Sequence, residues 1–163
     1  MAIDTTLFLA KFTLVTGLAV WLAVIAFNNT LAFRAGAFSV GMLMAMHLFD
    51  QEPRITMPLL SRRVANPFWH RAVFCFVLML EIASALLLAW GAMRLGLALF
   101  AFEEAAVAIA TATLGLTALM ATSLVMLVGG AWFAYYIRQE GAQITHFVLI
   151  GLSVGALVLV NLR

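Results

Sequence analysis

Charge is scarce in this chain. Of its 163 residues, 10% are Asp, Glu, Lys or Arg, where a soluble domain carries about 25%. The hydrophobic share is 66%, more than the interior of a domain of this size can hide, so a water-facing surface would be largely apolar. A soluble fold is excluded, and the length allows one domain, 1–163. Cysteine occurs once, at Cys75, which excludes an internal disulfide and reads as packing within an apolar run. The three prolines, Pro53, Pro58 and Pro67, sit close together, and elsewhere nothing of that kind interrupts a long helix. The net charge of +2, with its arginines scattered, does not make a nucleic-acid footprint. Neither a Ser-His-acid signature, HExxH nor a glycine-rich phosphate loop occurs, and no HxxxH or CxxC spacing suggests a metal. No enzyme activity, metal or resident cofactor is expected.

What is abundant is uninterrupted apolar sequence. A helix needs about 20 such residues to cross a bilayer, and four stretches supply them: 6–27, 69–92, 105–136 and 144–162. Lys11, near the start of the first, is placed to snorkel to the headgroups. Asp4 precedes it and no small-residue cleavage site follows, so the stretch reads as a retained span. The third ends "WFAYYIRQ", aromatic then basic, as at a membrane interface. The long first loop, 28–68, holds Arg34, Arg54, Arg62 and Arg63 with Asp50 and Glu52. Inside it "GAFSVGMLMAMHLF" (36–49) is apolar but too short to span, and is expected to be interfacial. The expected fold is all-α: a four-helix transmembrane bundle with an interfacial segment in its first loop. Lys11, Arg94 and Arg163 fall on one side; Arg34, Arg54, Arg62, Arg63, Arg71 and Arg138 fall on the other, which the positive-inside bias makes cytoplasmic. Nine methionines and thirteen phenylalanines read as core and lipid-facing filling.

Within the second stretch one carboxyl group, Glu81, lies at the midpoint. A charge at that depth costs about 2.5–3.5 kcal/mol on insertion scales, and an acid lowers the cost by keeping its proton and finding hydrogen-bond partners. The first and fourth stretches have Thr16 and Ser153 at their midpoints, and the third has Thr117, Thr122 and Ser123 near its own, of which Thr117 is taken. Glu81, Thr16, Thr117 and Ser153 are therefore expected to form an inward-facing polar layer. It serves either to fix helix register by hydrogen bonds or as a proton or cation site.

The topology gathers a second group at one membrane face: His47, His70, His146, Asp50, Arg71, Trp132, Tyr135 and Tyr136. Two histidines on different helices can ligate a b-type haem, and histidine with aromatics suits a quinone head group; the alternative is interfacial anchoring. Gly151 and Gly155, four apart on one face of the last stretch, allow close approach of another helix. Ser153 points the opposite way, so an inward Ser153 turns both glycines towards a partner or a second copy.

Several motifs together carry a resemblance: the Asn28–Asn29 pair, "MHLFD" (46–50), "FWHRA" opening the second span, Glu81 in its middle, and "GGAWF" (129–133). From Asn28 to about Gly141 the chain resembles a family of small bacterial four-span integral membrane proteins of unknown function. The resemblance implies a bacterial, inner-membrane location and the same four-span fold, and brings no established activity. The chain departs from the family pattern at His70, which separates Trp from Arg, at Ala131, where an acid is usual, and near Ala32, where another is. If those acids serve a shared activity, this chain lacks it. The leading expectation is a non-catalytic accessory or scaffolding subunit, in contact with lipid and with other membrane subunits or itself. The alternatives are a transport module centred on Glu81 and a haem- or quinone-binding anchor using His70 and His146.

Overall fold

The computed structural model describes residues 2–162. It contains five α-helices: α1 (Ala2–Leu31), α2 (Phe33–Met44), α3 (Pro67–Leu99), α4 (Ala105–Trp132) and α5 (Glu140–Asn161), with no strand among the described residues. Four of them, α1, α3, α4 and α5, are long and apolar enough to cross a membrane. Helices α1 and α3 run past both ends of the stretches read from hydropathy, whereas α4 stops at Trp132, short of the expected 136, because the chain turns back at Ala134, and α5 starts early at Glu140 and ends at Asn161. Asn66 accepts a hydrogen bond from the Phe68 amide at 2.9 Å, and Pro67 takes the first helical position of α3, where its missing N–H costs nothing.

Helix α2 covers most of the segment expected at the interface, 36–49, but begins at Phe33 and ends at Met44, with a separate helical turn at His47–Asp50. It follows α1 after a break at Ala32 (φ −96°, ψ 29°) and keeps to the same course along α3. Four contacts trace that course. The Phe12 ring packs at Gly96, Asn29 bonds Glu81, the Phe74 ring lies on Gly36, and the His70 ring lies on Gly41. As the numbers rise along α1 and α2 they fall along α3, so the pair is antiparallel over its whole length.

Two glycines set the approach of α3 to α4. A Cβ on Gly91 would stand 2.7 Å from the Ala112 Cα, and one on Gly115 would stand 2.9 Å from the Leu87 carbonyl. Small residues bring helix backbones together where lipid supplies little hydrophobic drive. Between the spans lies a core of Val15, Leu22, Leu88, Leu95, Leu116 and Val160. Outside, Trp21, Phe27, Phe76, Leu86, Val128 and Val158 are exposed, as a lipid-facing surface requires. Cys75, expected in the packing, is on the exposed side of α3.

The prolines and arginines of the first loop close one end of the bundle. Met46 and Phe49 pack with Ala134, Phe133 and Ile137 in a second apolar cluster. The Arg62 guanidinium stands 4.3 Å over the Trp132 ring and donates to the Trp132 carbonyl at 3.1 Å, and Arg138 donates to the Pro53 carbonyl. At the opposite end Lys11, expected to reach headgroups, instead donates to the Leu162 carbonyl at 2.6 Å, beside the carbonyl end of α5. Arg94 and Glu103 form an ion pair at the α3–α4 connection.

Candidate functional site

Glu81 is buried, 7% exposed, and faces the other helices. Its partner is Asn29, whose Nδ2 donates to Oε2 at 2.7 Å. The expected polar layer is thus corrected in its membership. Thr16 lies thirteen residues before Asn29 on α1, roughly 20 Å along the axis. Its hydroxyl is buried with no hydrogen-bond partner among the described residues. Thr117 is exposed and bonds back to the Thr113 carbonyl within its own helix. Of the three hydroxyls near the middle of α4, Thr122 and Ser123 are the ones that turn inward.

The layer that exists draws residues from all four spans, and hydrogen bonds link α1 to α3 and α3 to α4 within it. Ser84, one turn on from Glu81 on the same face of α3, meets Thr122 with hydroxyls 2.9 Å apart. Ser123 and Ser153 are fully buried and close their hydroxyls on the Leu119 and Leu149 carbonyls. Asn161 meets Thr113 at 3.1 Å. From that contact Ser153 and Thr122 lie roughly 12 and 13.5 Å along their helices, at nearly one level. Asn29, Glu81, Ser84, Thr122, Ser123 and Ser153 are therefore the polar residues of the bundle interior at this level. Among the described residues no Lys, Arg or His pairs with Glu81. The carboxyl group is held by a neutral amide donor, which suits either protonation state.

The second group does not gather at one point. Tyr135 and His146 do come together: their rings stack with centroids 5.8 Å apart, and the hydroxyl lies 3.2 Å from Nδ1. Burial pushes the Tyr135 hydroxyl pKa up. The ring fits there because Ala134 takes a left-handed conformation (φ 53°), folding the chain back so that Tyr135 covers Gly130. His70 is engaged elsewhere, with Nε2 2.7 Å from the Val64 carbonyl. His47 and Tyr136 are exposed. Asp50 accepts from Arg63 at 2.7 Å. That hydrogen bond holds its carboxyl below the ordinary value against the opposing effect of desolvation, and the charges of Arg63, His47 and Arg54 add to it. Arg71 points into a cleft beside α2 together with Arg34. The histidine pair expected for haem or quinone thus makes two separate sets of contacts. Among the described residues no three His, Cys, Asp or Glu side chains are grouped to hold a metal ion.

On α5, Ser153 is buried while Gly151 and Gly155 are exposed, and a Cβ added to either glycine would meet nothing within 4 Å. Hydropathy ends the first stretch at residue 27, whereas α1 continues to Leu31 and so carries Asn29 to Glu81.

No curated protein and no solved structure matches the chain. A family model described as predicted small integral membrane protein (DUF2165) matches residues 7–163, a region that holds every residue of the polar layer. With four apolar helices of membrane-crossing length in that same region, the chain belongs to this family of small integral membrane proteins of unknown function.

Proposed function

We propose that the protein is a non-catalytic accessory subunit whose α5 packs against a transmembrane helix of a larger membrane complex. The observation that carries this reading is the asymmetry of α5. Only 17% of its apolar window is buried within the chain, against 28% to 33% for α1, α3 and α4. The uncovered face holds Gly151 and Gly155, between Val148, Leu152 and Val158. Small residues flanked by branched ones let another helix approach closely and gain van der Waals contact that lipid tails supply less well. The bundle's own polar groups are meanwhile tied to one another, Glu81 to Asn29 and Ser84 to Thr122. That use of polar groups fits a packing role better than a chemical one.

A photoreactive residue at Gly151, introduced into the full chain in its native membrane, tests the reading. The expected product is one discrete heteromeric adduct, lost on Gly155→Leu. Adducts with lipid alone, or with a second copy of this chain, would count against it. Since neither position touches the rest of the bundle, loss of the adduct reports association rather than folding.

A second reading rests on Glu81 itself: a buried acid without a cationic partner can exchange a proton or bind a cation. Proton or cation uptake by the purified protein in vesicles, abolished by Glu81→Gln, would support it. Uptake indifferent to that substitution would remove it.

A further inference from the structure

Six arginines lie on the first-loop side of Glu81, and four of them are occupied by the protein. Arg63 pairs with Asp50, Arg54 with Glu52, Arg62 with Trp132, and Arg138 with loop carbonyls. The other two, Arg34 on α2 and Arg71 on α3, are exposed, and among the described residues neither has a carboxylate partner. Both line one cleft of about 580 Å³ between α2 and the first turns of α3. Its remaining walls include Phe33, Phe38, Ala37 and Pro67. Phe38 is 68% exposed at its rim, and Phe68 and Trp69 stand exposed at the head of α3.

We propose that this cleft binds the phosphate of an acidic phospholipid, with the two guanidinium groups on the headgroup and an acyl chain along Phe38. Three features converge on that occupant. Guanidinium is planar and meets phosphate oxygens in a two-pronged fashion, and it sheds water more readily than an ammonium group. The basic residues and the apolar wall lie side by side, as the two halves of a lipid do. Basic pockets between membrane helices on an arginine-rich side suit anionic headgroups. The pocket also explains why α2 is apolar on both sides yet opens with Arg34: one side packs on Phe74 and His70, and the other faces lipid.

The test is native mass spectrometry of the full chain released from bilayers of equal phosphatidylglycerol and phosphatidylcholine. Wild type is expected to retain phosphatidylglycerol preferentially. In the double variant Arg34→Gln/Arg71→Gln the preference should fall roughly 25-fold, about fivefold for each guanidinium lost near the surface. Arg54→Gln, at the same end but outside the cleft, should leave it unchanged. Neither arginine has a described protein partner, so the double variant should keep its helical circular dichroism. Arg34→Lys/Arg71→Lys, which keeps the charge but not the geometry, should fall in between. Equal retention of both lipids by wild type, or a preference that survives the double substitution, would overturn the proposal. So would one-for-one displacement by millimolar inorganic phosphate, which would assign the pair to a soluble anion.

Discussion

Asn29, two residues before the end of α1, donates a hydrogen bond of 2.7 Å to Glu81 in the middle of α3. It is the one polar side-chain contact described between those two helices, and it fixes how far α1 can slide along α3. Interhelical hydrogen bonds of this kind are worth roughly 0.6 kcal/mol on average, up to about 1.7. Asn29→Leu should therefore lower stability by about 1 kcal/mol, measured by reversible unfolding in mixed micelles. Glu81→Gln keeps an acceptor oxygen for the Asn29 amide and should change stability by less than that. A Glu81→Gln loss larger than the Asn29→Leu loss would mean that the carboxylate charge, not the hydrogen bond, holds the helices.

The glycines divide into two kinds. Gly91 and Gly115 face backbone of the opposing helix at under 3 Å from an added Cβ. Gly91→Ala or Gly115→Ala should thus cost about 1–3 kcal/mol by overpacking. Gly151→Ala and Gly155→Ala meet open space. They should be neutral or stabilise by roughly 0.5–1 kcal/mol through helix propensity. Thermal unfolding of the four variants in one detergent checks the ordering.

Tyr135 is nearly fully buried against Gly130, and a Cβ there would stand 2.5 Å from its ring. The stacked His146 blocks escape on the other side. Gly130→Ala should destabilise by about 1–3 kcal/mol, and the effect should largely vanish in a Tyr135→Ala background. Additive losses in the double variant would show that the two residues do not press on each other.

Acid should loosen the ends of the bundle before its middle. The hydrogen bonds from Arg63 and Arg94 hold the carboxyls of Asp50 and Glu103 below their ordinary values of 3.8 and 4.5. A carboxyl with a depressed folded-state pKa adds stability that is complete above its unfolded value and lost as pH falls through the folded one. The contribution should thus be constant above about pH 5 and decline below that. The protection factors of amides in the loop around Asp50, which are exchange rates divided by the intrinsic rate at each pH, should fall below pH 4 in wild type. With Arg63→Gln they should already be lower at pH 6.

The four spans, and Glu81 as an inward acid, were legible because bilayer thickness and the price of a buried charge act on any sequence alike. Membership of the polar layer was not. Matching midpoints chose Thr16, but α2 prolongs α1 along α3, so Glu81 meets α1 near its end, at Asn29, and not at its centre. Thr117 differs from Thr122 and Ser123 only in which way it faces, and an apolar helix on all sides carries no periodicity to tell them apart. The inward Ser153 with outward Gly151 and Gly155 followed from helical geometry alone. The closing of the first loop over Trp132 and Ala134 depends on contacts some seventy residues apart in the chain, for example Arg62 with Trp132, which no local pattern encodes.

The most direct measurement is spin-label accessibility along α5 in a Cys75→Ser chain reconstituted into bilayers. Labels at positions 151 and 155 should collide freely with oxygen, as in lipid, while a label at 153 should be shielded from it, and all three should be inaccessible to a water-soluble nickel complex. Equal oxygen collision at 151, 153 and 155, or nickel access to any of them, would contradict a lipid-embedded bundle that turns its hydroxyls inward and its glycines out.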